Sequence, residues 1–118
     1  MRFHHVQLAM PRGGEEDARR FYAQVLGLEE IAKPPELAKR GGCWFRLGEA
    51  ELHLGVEEPF IPARKAHPAL VVGDLAELET ALMAAGHEVV PDDLLPRARR
   101  IYTNDPFGNR IELIQAGA

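Results

Sequence analysis

Three histidines and one glutamate, His5, His53, His67 and Glu112, are the residues of this chain whose types and spacing could do chemistry together. Imidazole and carboxylate donors without thiolate suit a divalent zinc, nickel, cobalt, manganese or iron ion. Such an ion is a Lewis acid that stabilises the negative charge left on substrate oxygens when a neighbouring carbon gives up a proton. Singly, each residue has a plainer explanation, because a lone strand histidine is usually a satisfied polar group and a lone glutamate is usually solvated. Their spacing joins them. His53 follows His5 by 48 positions and Glu112 follows His67 by 45, while Gly27 follows His5 by 22 and Gly86 follows His67 by 19. Each interval is three longer in the first copy, an offset that one extra loop, P-R-G-G at 11–14, absorbs.

The elements that must position these residues repeat as well. The first copy opens on F-H-H-V-Q-L-A (3–9) and closes on A-E-L-H-L-G-V (50–56); the second opens on A-H-P-A-L-V-V (66–72) and closes on N-R-I-E-L-I-Q (109–115). Between them run two helical stretches. Glu15, Glu16 and Asp17 supply acidic first-turn residues ahead of an apolar stripe of Ala18, Phe21, Tyr22, Val25 and Leu26, and Gly27 stops the helix. Asp74 is the N-cap of the second, with Leu75, Leu78, Leu82 and Met83 as its stripe and Gly86 as its stop. Further strands are predicted over 28–31, 43–47, 51–56, 67–72, 87–90, 99–104 and 110–115, with Pro34-Pro35 and Gly41-Gly42 in a loop and Asp105-Pro106-Phe107-Gly108 as a turn. Because strand side chains alternate, each of the four candidate ligands faces away from a strongly apolar side: Val6 and Leu8, Leu52 and Leu54, Leu70 and Val72, Ile111 and Leu113. The apolar sides belong under the helices, which leaves the four donors on the other, concave face of a curved sheet. His4 falls with the apolar residues of its strand and His87 opens a strand after a helix stop, so both keep the plainer reading, structural or merely exposed.

Composition narrows the chemistry. A chain of 118 residues that is 46% hydrophobic is one domain with a real core. Its net charge of −4 and scattered arginines give no footprint for nucleic acid. No apolar run approaches a membrane span and the N-terminus lacks a signal-peptide core, so a cytoplasmic protein is expected. The single Cys43 excludes an internal disulfide and reads as a small buried strand residue. With no serine anywhere in the chain, a Ser-His-Asp hydrolase is ruled out.

H-V-Q-L in the first strand, F-Y-A-Q-V-L-G-L at the end of the first helix, H-P-A-L-V-V opening the second half and D-P-F-G-N-R-I-E-L at the close together resemble the vicinal oxygen chelate superfamily, the glyoxalase, bleomycin-resistance and extradiol-dioxygenase group. The similarity covers essentially the whole chain. It implies an α+β fold of two βαβββ modules whose eight strands form a curved, mixed, glyoxalase-like cup. One such domain would span 1–118, with module one over 1–57, a linker over 58–65 and module two over 66–118. Metal-binding relatives take ligands from the first and last strand of each module, which carries over onto His5, His53, His67 and Glu112. Relatives commonly form homodimers.

One position departs from the best-known pattern: glyoxalase I enzymes have Glu, and methylmalonyl-CoA epimerases Gln, where this chain has His53. Fosfomycin-resistance transferases and extradiol dioxygenases use two His and one Glu, which His5, His67 and Glu112 could supply. The resemblance thus implies a metal-dependent lyase or isomerase acting on a small substrate with vicinal oxygens through an enediolate-like intermediate, with Glu112 or His53 taking the proton. An extradiol-type iron dioxygenase and a metal-free drug-binding protein are the alternatives. Trp44, Phe60 and Tyr102 are candidates for lining the cup, along with Phe45 and Phe107. Arg100, with Arg46 and Arg99, is a candidate for holding an anionic substrate group.

Overall fold

A computed structural model of the chain describes residues 1–94 and 99–117. Eight strands run β1 (His5–Met10), β2 (Glu30–Ile31), β3 (Cys43–Leu47), β4 (Ala50–Val56), β5 (Ala69–Val72), β6 (Val90–Asp92), β7 (Arg100–Asn104) and β8 (Arg110–Gln115). Helices are α1 (Glu15–Ala18), which continues as a π-helical segment over Arg19–Val25, α2 (Pro35–Ala38) and α3 (Leu75–Ala84). The chain divides into two compact units, Met1–Ala63 and Arg64–Ala118. Hydrogen bonding makes two four-stranded sheets, ordered β1-β4-β3-β2 and β5-β8-β7-β6. In each, the first and last strands of the module are parallel neighbours and the other pairings are antiparallel. The duplication read from spacing is therefore repeated strand for strand. No helix among the described residues is long and apolar enough to cross a membrane.

The alternation of side chains holds in both sheets. Leu52 and Leu54 in unit one, and Ile111 and Leu113 in unit two, are fully buried. In unit one they share the core with Phe21, Tyr22 and Phe45, where Tyr22 and Phe45 rings pack 5.5 Å apart. Each such side chain removed from water contributes about 1.5–3 kcal/mol, and those contributions fix which face of each strand points inward.

Three expectations need correction. The first helix is α-helical for one turn only. From Arg19 it widens, with Leu26 N–H donating to the Phe21 carbonyl five residues back, and both adjacent aromatics, Phe21 and Tyr22, are buried. A 3.6-residue stripe cannot register such a widened turn. The Pro34-Pro35 loop contains α2, for which proline at the first helical position is well suited. Met83 is 65% exposed rather than part of the α3 core stripe, which is carried by Leu75 and Leu82. The caps of α3 stand as read, with Asp74 Oδ1 accepting from Glu77 N–H and Gly86 at φ +86° just beyond the end.

Two turns set the register of the strands that matter most. Asp105 Oδ1 accepts from the N–H groups of Phe107 and Asn109, while Asn109 Nδ2 donates to Asp105 Oδ2, so the approach to β8 and Glu112 is clamped. In unit one, Gly42 at φ +82° approaches the Leu54 carbonyl so closely that a Cβ would lie 2.1 Å from its oxygen. Its N–H donates to Glu15 Oε2, tying the loop before β3 to α1.

Candidate metal and substrate site

In unit one, β1 and β4 run parallel with Gln7 opposite His53 and His5 opposite Glu51. Parity puts His5 and His53 on one face, and their rings stack with centroids 4.3 Å apart and planes 14° apart. On its other side His53 stacks on Trp44, its cross-strand partner on β3, at 3.9 Å and 4°. His53 is buried, and its Nε2 is 2.8 Å from Glu51 Oε1. Burial pushes the His53 imidazole below its usual range, and His5 and His4 add to that, while the Glu51 carboxylate pulls the other way without reversing it. His5 Nδ1 lies 2.9 Å from His4 Nδ1. His4 is exposed and lines the cavity with His5. It precedes β1, which begins at His5.

Unit two repeats the register. Ala69 stands opposite Glu112 as Gln7 stands opposite His53, and Tyr102 faces Glu112 as Trp44 faces His53. His67 lies two residues before Ala69, ahead of the strand proper, and its Nε2 is 2.9 Å from Glu112 Oε1. Its Nδ1 is 2.8 Å from the Lys65 carbonyl, which can only accept, so Nδ1 carries the proton. Nε2 and a carboxylate oxygen then meet only if one of them carries a further proton or a cation lies between them. Arg100 Nη1 donates to Glu112 Oε2 at 3.1 Å and Nη2 to Asp92 at 3.2 Å. Burial alone would raise the Glu112 carboxyl, but hydrogen bonds from His67 and Arg100 outweigh it and hold the group below the ordinary carboxylate range. The Arg100 Nε is buried and has no hydrogen-bond partner among the described residues.

The His67–Glu112 pair fits a transition metal in chemistry and spacing, while His5 and His53 meet as stacked rings. Ligand atoms about 2.0–2.2 Å from a cation and adjacent in its coordination shell are about 3 Å apart, as His67 Nε2 and Glu112 Oε1 are. The backbone carbonyl on His67 Nδ1 is the kind of partner that orients a ligating imidazole. Among the described residues no group of three or more His, Cys, Asp or Glu side chains is gathered for a metal ion, so the donors stand as one pair in each unit.

The remaining candidates fall unevenly. Trp44 lines a cavity in unit one of about 460 Å³, together with His5 and His53. Tyr102 lines a smaller one of about 150 Å³ in unit two and carries the Arg110 guanidinium 4.0 Å from its ring centroid. Phe45 is core, and Phe60 and Phe107 are half-buried and line neither cavity. Arg46 and Arg99 are exposed and pair with Glu29 and Glu79. Glu51, Lys33 and Arg40 were not singled out by the sequence. Parity with His53 marks Glu51, but nothing in the spacing shows that the loop carrying Lys33 and Arg40 folds over the same cavity.

The family model of the Glyoxalase/Bleomycin resistance protein/Dioxygenase superfamily matches residues 2–113. A glyoxalase family protein from Bacillus anthracis is 50% identical, with 98% of this chain and 94% of that chain covered and a TM-score of 0.93. An antibiotic binding protein from Streptomyces sp. CB03234 shares the fold at 22% identity, with 99% and 97% covered and a TM-score of 0.77. Lactoylglutathione lyase from Agrobacterium tumefaciens does so at 22% identity, with 98% and 93% covered and a TM-score of 0.73. No curated protein matches the chain.

Proposed function

The chain belongs to the Glyoxalase/Bleomycin resistance protein/Dioxygenase superfamily, and on that premise we propose that it is a metal-dependent lyase or isomerase of the glyoxalase type. His5, His53, His67 and Glu112 hold one divalent zinc, nickel, cobalt, manganese or iron ion, and the substrate is a small molecule with two adjacent oxygens. The observation that carries this reading is the contact of His67 Nε2 with Glu112 Oε1, made while Nδ1 is already committed to the Lys65 carbonyl. When bound, the cation supplies Lewis-acid stabilisation of charge on those oxygens. Glu112 accepts the proton from the adjacent carbon, and Arg100, on its second oxygen, keeps the carboxylate ionised and aimed. Trp44 covers one face of the His53 ring, and Tyr102 stands across the strand from Glu112.

The test is solvent-deuterium exchange at the carbon beside a carbonyl, over α-hydroxycarbonyl, hemithioacetal and acyl-thioester substrates with each metal in turn. Exchange with one metal that vanishes in Glu112→Gln supports the reading, because the amide cannot accept the proton. Exchange that survives in Glu112→Gln removes Glu112 as the base.

One observation favours a second reading. His53 Nε2 is engaged by Glu51, which leaves His5, His67 and Glu112 as a two-histidine, one-carboxylate set of the kind that serves ferrous oxygenases. Oxygen uptake with a catechol and ferrous iron would transfer the assignment to an extradiol-type dioxygenase. The proposal also makes the chain a cytoplasmic homodimer: β1 and β5 are sheet-edge strands and Val71 on β5 is 70% exposed. Light scattering that returns a 13.1 kDa particle would contradict the dimer.

A further inference from the structure

The cavity of about 460 Å³ in unit one has walls of opposite character. On one side stand His5, His53 and Trp44, and at the strand beside them Gly55 leaves room where a Cβ would collide with the Gln7 side chain at 2.7 Å. On the other, the segment from Lys33 to Gly41 brings two cations to the opening. Lys33 is half-buried, with its ammonium on the Gly41 carbonyl and 6.0 Å from the Trp44 ring centroid. Arg40 is exposed, lines the cavity and makes no ion pair with any described residue. The only lining carboxylate, Glu51, is occupied by His53. Lys33 is near the Glu15 carboxylate, so in a chain of net charge −4 it is Arg40 that gives the cavity an uncompensated cation.

We propose that this cavity selects a small substrate carrying an oxyanion group, a carboxylate or a phosphonate, which Arg40 binds through its guanidinium fork and Lys33 supports as a point charge. The inference rests on the proposed function only in placing the substrate's reacting end toward His5 and His53; the anion site itself uses neither histidine. A guanidinium gains directional, charge-assisted hydrogen bonds from an oxyanion that a neutral amide of the same shape cannot supply.

Trp44 is the sole tryptophan and lines the cavity, so its indole N–H resonance reports occupancy directly. The probes are mandelate, phenylphosphonate and the neutral mandelamide, titrated into the full chain as purified and again after chelator treatment. A saturable shift is expected with at least one anion in both preparations, and the tighter of the two identifies the oxyanion. Mandelamide should bind roughly tenfold more weakly or worse, Arg40→Gln should lose roughly tenfold in anion affinity, and Arg40→Lys should recover part of it. Equal affinity for mandelate and mandelamide, no saturable shift with either anion, or unchanged anion affinity in Arg40→Gln would overturn the proposal. Elemental analysis of the same samples reports on the metal independently, so an empty metal site and a failed anion site are distinguished.

Discussion

Trp44 lies flat on His53, 3.9 Å between ring centroids, and the same cross-strand position in the second module sets Tyr102 opposite Glu112. One aromatic ring thus stands across the strand from His53 or Glu112, the proposed ligand, in each half. If His53 is a ligand as proposed, binding of cobalt or nickel should quench the single tryptophan's fluorescence saturably, since the indole touches the His53 ring. Trp44→Phe should abolish the signal while elemental analysis still finds the metal. A full complement of metal with unchanged Trp44 emission would separate His53 from the site.

The loop before β3 depends on Gly42. Its positive φ and its contact with the Leu54 carbonyl leave no space for a methyl group, so Gly42→Ala should destabilise the fold by at least about 2 kcal/mol in chemical denaturation. Gly48→Ala, where the positive φ is the only obstacle, should cost less, about 1 kcal/mol.

Cys43 gives a pH signature. Burial pushes its thiol up from an ordinary 9.0 to about 11, with Glu30 adding to the shift. The folded chain therefore holds this proton more tightly than the unfolded one. Its contribution to stability is fully present below pH 9 and is lost as pH rises through about 11, a fall of about 2–3 kcal/mol. The difference between wild type and Cys43→Ala, measured by denaturation across that window, should show this fall; parallel curves would contradict it. The native thiol should also resist alkylation at neutral pH.

Much of this was legible because two periodicities act together. Period-two alternation placed His5, His53 and Glu112 on one face of their own strands, and the repeat matched His5 with His67 and His53 with Glu112. The D-P-F-G-N run announced the turn whose Asp105 clamps β8. Three features lay outside that logic. The π-helical widening from Arg19, in which Phe21 and Tyr22 are both buried, is registered by no 3.6-residue pattern. The bond from His53 to Glu51 is a choice of rotamer, and parity says only that it is open to them. The arrival of Lys33 and Arg40 at the cavity depends on how a loop containing α2 folds, where neither periodicity operates.

The central claim is that one cation is held by residues from both modules, and metal stoichiometry tests it most directly. Protein purified without chelator, stripped, reloaded with cobalt or nickel and desalted should carry one equivalent per chain by elemental analysis. His5→Ala and His67→Ala should each lose most of it while circular dichroism stays unchanged, since the apolar faces carrying Leu8 and Leu70 are untouched. Full metal retained in either variant, or none bound by the wild type, would contradict the account.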